Sequence, residues 1–101
     1  MRMQRKIGRE TKASALHILT RNEKLAHEIK ARADKGENFA NLAKRYSNCP
    51  TSKKGGDLGE FSRGVMVKAF DQAVFSAELL KPVGPIKTKF GYHIIKVLYR
   101  S

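Results

Sequence analysis

The chain of 101 residues carries 21 Lys and Arg against 9 Asp and Glu, a formal charge of +12, with 41% apolar residues and one Cys. That is enough apolar matter for one core and too little for a second, and a single thiol excludes an internal disulfide framework. MRMQRKIGRETK at the start lacks the apolar stretch of a secretory leader, and no later run reaches membrane-spanning length, so one soluble, cytoplasmic domain is expected.

Residues 1–12, with five cations against Glu10 and no helical or strand period, read as a basic mobile arm ahead of a domain over 13–101. From Ala13 to Thr20 the residues alternate, Leu16 and Ile18 facing one way, Ala15, His17 and Leu19 the other, which predicts a strand. Thr20 and Glu23 have capping-box spacing, and Leu25, Ala26, Ile29 and Ala33 form one stripe of a helix over about 21–35 that Gly36 ends. Asn38 is placed to cap a second helix carrying Phe39, Leu42, Ala43 and Tyr46, which stops near Ser47. The stretch 48–59, NCPTSKKGGDLG, is a loop with Cys49 at its entrance. A short extended piece, 58–61, precedes a third helical stripe of Met66, Phe70, Ala73 and Val74. Pro82, Gly84 and Pro85 break helical order, and two closing strands are expected over 86–89 and 92–99. In the last, His93, Ile95, Val97 and Tyr99 share a face. His17 and His93 meet if the first and last strands are neighbours.

Nucleotide-hydrolysis, dinucleotide and common zinc motifs are all missing, and KKGGDLGE lacks the Lys-Ser/Thr of a phosphate loop. What remains is His17, His93, Cys49 and an apolar group of Leu58, Met66 and Phe70. Each has a plain structural reading: strand histidines are often only hydrogen-bonded, free cysteines are often buried as small hydrophobes, and a Met/Phe stripe is ordinary core. Cys beside His also admits a nucleophile, and the trio admits a metal site without an evident supporting carboxylate.

Taken together, ALHIL (15–19), AKRYSNCP (43–50), KKGGDLGEFSRGVMVKAFDQAVFS (53–76), GPIKTKFGYHII (84–95) and KVLYR (96–100) resemble the parvulin-type peptidyl-prolyl cis/trans isomerases of the small, single-domain, rotamase C-like kind. The resemblance covers the chain from about Ala13 to Arg100. It implies an α+β, FKBP-like fold: a four-stranded antiparallel sheet with about four helices in the order β-α-α-α-β-α-β-β. It implies catalysis at Xaa-Pro bonds of peptides and unfolded proteins by a monomer, with no cofactor and no metal. His17 and His93 match the central histidine pair, Cys49 the third polar group, and Thr88 a hydroxyl that fixes the histidine tautomers. Leu58, Met66 and Phe70, with Phe90 at the edge, match the proline pocket.

Rotation about an Xaa-Pro bond must overcome amide resonance, a barrier of roughly 18–20 kcal/mol, and breaks no bond. The expected mechanism is therefore noncovalent, with Cys49 as a polar or partly anionic wall. Phosphate-directed parvulins have a long basic loop after the first strand. Here only about Thr20-Arg21-Asn22 join strand to helix, so unphosphorylated sites with a broad or apolar residue before proline are expected. The alternative is a basic binding module that contacts nucleic acid, ribosomes or acidic membrane. Spread positive charge predicts weak, salt-sensitive polyanion binding in either case.

Overall fold

The computed structural model describes residues 10–101. Strand β1 (Lys12–Thr20) leads into helix α1 (Glu23–Asp34), helix α2 (Phe39–Tyr46) and a 3-10 turn (Pro50–Lys54). Strand β2 (Asp57–Ser62), helix α3 (Lys68–Ser76) and strands β3 (Val83–Thr88) and β4 (Gly91–Arg100) complete the chain. The strands form one antiparallel sheet in the order β2-β1-β4-β3, so the first and last strands are central neighbours. The expected element order holds, with the 3-10 turn as the third of four helical pieces.

Period-two alternation on β1 and β4 divides the core. One face carries Ala13, Ala15, Ile95 and Val97 and packs against Phe70, Val74 and Phe75 of α3. The other carries Ile18 and Ile94 and packs against Ala26, Ile29 and Ala33 of α1 and Phe39, Leu42 and Ala43 of α2. The two central strands are thus covered on both sides. Among the described residues, no helix is long and apolar enough to cross a membrane.

Several boundaries differ from expectation. The ordered fold starts before Ala13: Lys12 pairs with Ser62, and Thr11 N donates to Ser101 O at 2.8 Å. Glu10 meets Arg100 in an ion pair at 2.9 Å, and the Arg100 guanidinium also donates to the carbonyls of Val74 and Ala77 at the end of α3. Residues 10–12 therefore belong to the domain, and the rest of the expected arm lies outside the described residues. The capping box does not form, because Thr20 is still paired with Tyr92 in the sheet. Its Oγ1 accepts from Asn22 N, and Asn22 caps α1 by accepting from Leu25 N at 2.9 Å. Asn38 caps α2 as expected, accepting from Asn41 N at 2.9 Å. Met66 precedes α3, which starts at Lys68, and β3 begins at Val83, so it contains Gly84 and Pro85.

Candidate functional site

His17 on β1 is opposite Ile95, and His93 on β4 is opposite Leu19. The two histidines are therefore diagonal neighbours on the face that α3 covers, a separation that ring side chains can bridge. Their Nδ1 atoms are 3.2 Å apart, and the rings lie 20° from parallel. Phe70 sets its ring edge-on to both, with centroids 5.6 Å from His17 and 5.1 Å from His93. Both histidines are buried, at 5% and 4% exposure.

Burial disfavours the imidazolium, so both titrate well below the ordinary histidine value, at about 4. Desolvation is the larger cause for His17, and the neighbouring His93 adds to it. At neutral pH the pair is uncharged, and two neutral rings share one N–H···N bond only when their tautomers are complementary. Thr88 Oγ1, at the end of β3, lies 2.7 Å from His93 Nε2 and accepts from Phe90 N at 3.1 Å. Proton order thus runs along one chain from Thr88 through His93 to His17. Its far end, His17 Nε2, is buried with no hydrogen-bond partner among the described residues.

These rings form part of the wall of a cavity of about 370 Å³, whose lining includes Cys49, Leu58, Met66, Phe70 and Phe90. Seven of the eight expected site residues therefore line one cavity, and Thr88 stands behind His93. Sequence reasoning missed Leu19, Asn48, Pro50 and Val67, which also line it. Alternation along β1 puts Leu19 on the face of His17, a signal sufficient to find it. The 48–50 segment is brought in because Asn48 N donates to Leu19 O at 2.7 Å, while Ser47 Oγ accepts from Leu19 N at 3.0 Å. Val67 follows Met66 at the start of α3, and nothing in its type marks it.

The loop that closes the cavity is held against β1 at the histidine itself. His17 N donates to Gly56 O at 2.9 Å. Gly56 has φ +85°, and a Cβ there would collide with the His17 carbonyl. Cys49 is half-buried, and its sulfur accepts from Thr51 Oγ1 at 3.2 Å. Among the described residues, no three His, Cys, Asp or Glu side chains converge closely enough to hold a metal ion. The arrangement offers an apolar cleft, sized for a small ring, with neutral polar edges.

The profile of the PPIC-type PPIase domain matches residues 2–101. The foldase protein PrsA of Geobacillus kaustophilus is 52% identical over 87 residues, 85% of this chain and 31% of that protein. The chain spans about a third of the length of the curated relatives it matches. The crystal structure of the PrsA peptidylprolyl isomerase from Bacillus anthracis superposes with a TM-score of 0.88 at 36% identity, covering 91% of this chain and 43% of that one. The solution structure of NmPin, the parvulin of Nitrosopumilus maritimus, gives a TM-score of 0.78 at 40% identity, covering 88% and 97%.

Proposed function

The chain belongs to the family of PPIC-type peptidyl-prolyl isomerase domains, and from that premise we propose that it accelerates rotation about Xaa-Pro bonds in peptides and unfolded proteins without covalent attack. One observation carries the mechanism: an apolar cleft shares its wall with two buried, neutral histidines. Leu58, Met66 and Phe70 hold the proline ring and remove water from its amide. Amide resonance places charge on the carbonyl oxygen, and a dry site favours the twisted, less polar state that rotation must pass through. The histidine pair and Thr88 fix the polar edge of the cleft, and Cys49 adds a further polar group to its wall.

No step requires a proton to leave a side chain or a bond to form at sulfur. Every residue assigned a role lies on one chain, so the reaction needs no second copy and the protein is placed as a monomer, and a chain with a single cysteine, which relies on no internal disulfide, fits a reducing, cytoplasmic setting. A basic binding module without catalysis draws no support from such a cleft.

Isomerisation of Ala-Ala-Pro-Phe-type peptides tests this reading. Wild type should exceed the uncatalysed rate, the Met66→Ala/Phe70→Ala variant should lose most of that excess, and Cys49→Asp should retain a substantial part. A wild type no faster than the uncatalysed reaction defeats the proposal, and complete loss in Cys49→Asp with an intact fold defeats the noncovalent mechanism.

A further inference from the structure

Beside the proline cleft lies a second cavity of about 440 Å³, bordered by Leu19, Arg21, Asn48, Lys87, Thr88, Lys89, Phe90 and Gly91. It shares Leu19, Asn48 and Phe90 with the cleft, so the two hollows adjoin across that rim. Three of its lining residues are cations, drawn from two places: Arg21 from the β1–α1 connection, and Lys87 at the end of β3 with Lys89 in the β3–β4 turn that follows it. Among the described residues, none of the three has a carboxylate within 4.0 Å. Glu23, at the start of α1, engages His27 and Tyr92 instead. The contacts that Lys87 and Lys89 make are with aromatic faces, at 5.8 Å over Tyr92 and 5.3 Å over Phe90. Those exposed contacts leave both ammonium groups able to meet an anion.

We propose that this groove selects substrates with an acidic side chain flanking the proline, through Arg21, Lys87 and Lys89. The inference rests on the peptide-isomerase reading and adds a substrate class to it. An extended peptide advances about 3.3 Å per residue. A proline seated on Phe70 thus places a neighbouring residue, one or two positions away, at the shared rim of Leu19, Asn48 and Phe90. Three cations in the lining of the hollow that adjoins that rim favour a carboxylate over an apolar or basic side chain. A broad or apolar preference for the residue before proline is the competing outcome.

The test is a peptide series of Ala-Pro-Ala, Glu-Pro-Ala, Ala-Pro-Glu and Lys-Pro-Ala cores, scored as kcat/KM relative to the Ala-Pro-Ala peptide. Exposed ion pairs contribute up to about 1 kcal/mol each, so one of the glutamate peptides should be turned over about five-fold faster than the alanine peptide at low salt. That advantage should shrink at high salt, where exposed charges are screened. Because the whole molecule is positive, the preference must be separated from general attraction. The triple variant Arg21→Ala/Lys87→Ala/Lys89→Ala should bring the glutamate-to-alanine ratio to about one, whereas Lys35→Ala/Lys44→Ala/Lys68→Ala, with the same loss of charge elsewhere, should keep it. Equal rates for all four peptides, or a ratio that survives the first triple variant, would overturn the proposal while leaving the isomerase reading intact. Absence of turnover on every peptide would defeat the isomerase reading instead. Binding of the protein to anionic vesicles through Arg21, Lys87 and Lys89, with no glutamate preference, would assign the groove to a membrane surface and likewise overturn it.

Discussion

His17 and His93 sit on adjacent strands, two residues out of register, with their Nδ1 atoms 3.2 Å apart and neither ring charged at neutral pH. A pair in that relationship holds few protons to give at neutral pH and accepts them weakly. It is suited to holding a fixed hydrogen-bond order beside an apolar cleft, and the following outcomes depend on it.

Stability should fall with acidity in a defined window. The unfolded chain takes up protons on these histidines below pH ~6.5, whereas the folded pair resists protonation until about pH 4. Stability is therefore fully present above the unfolded value and declines as pH falls from about 6.5 to about 4. Each histidine contributes a slope of up to about 1.4 kcal/mol per pH unit. Urea midpoints at a series of pH values across that window check this, and a flat profile contradicts the neutral buried pair.

Thr88→Val should disturb the tautomer order while leaving the fold in place. The change removes the partner of His93 Nε2 and the acceptor for Phe90 N. Leaving such groups unpaired costs about 1–3 kcal/mol. Imidazole ¹⁵N shifts should show mixed tautomers in Thr88→Val and a single set in wild type, with Thr88→Ser restoring the latter along with most activity.

Phe70 and Met66 should separate stability from binding. Phe70 is 3% exposed and touches both histidine rings, so Phe70→Ala should lose about 3–5 kcal/mol of stability as well as activity. Met66 is only half-buried at the mouth of the cleft. Met66→Ala should raise KM several-fold with a stability loss nearer about 1 kcal/mol. Thermal melts beside peptide kinetics distinguish the two.

Gly56→Ala should damage the site from behind. A side chain at φ +85° is strained by about 1–2 kcal/mol, and here it also meets the His17 carbonyl. The loop carrying Cys49 should detach from β1, seen as faster amide exchange at His17 N and reduced isomerisation.

Much of this was legible because β1 and β4 alternate strictly: period two put His17 and His93 on their faces, and the Leu25–Ala33 stripe placed α1. What stayed hidden depends on contacts between distant segments. Thr20 has the spacing of a helix cap, yet its pairing with Tyr92 keeps it in the sheet and passes the cap to Asn22. Lys12 looked like arm because nothing local shows that Ser62 and Ser101 pair with it. The groove of Arg21, Lys87 and Lys89 is invisible for the same reason, since Arg21 stands more than sixty positions before the two lysines and only the fold brings them to one hollow. The roles proposed for Cys49 and Thr88 rest on family resemblance, and residue type alone does not supply them.

Thr11 and Ser101 are joined backbone to backbone, and Glu10 grips Arg100 beside them. Entry to and exit from the domain therefore occur at one point on its surface. Any flanking polypeptide would leave from that single root, so the whole unit can be carried as a side branch, like a bud on a stem, and a pull on both flanks would load the seam between Thr11 and Ser101 before it reached the proline cleft.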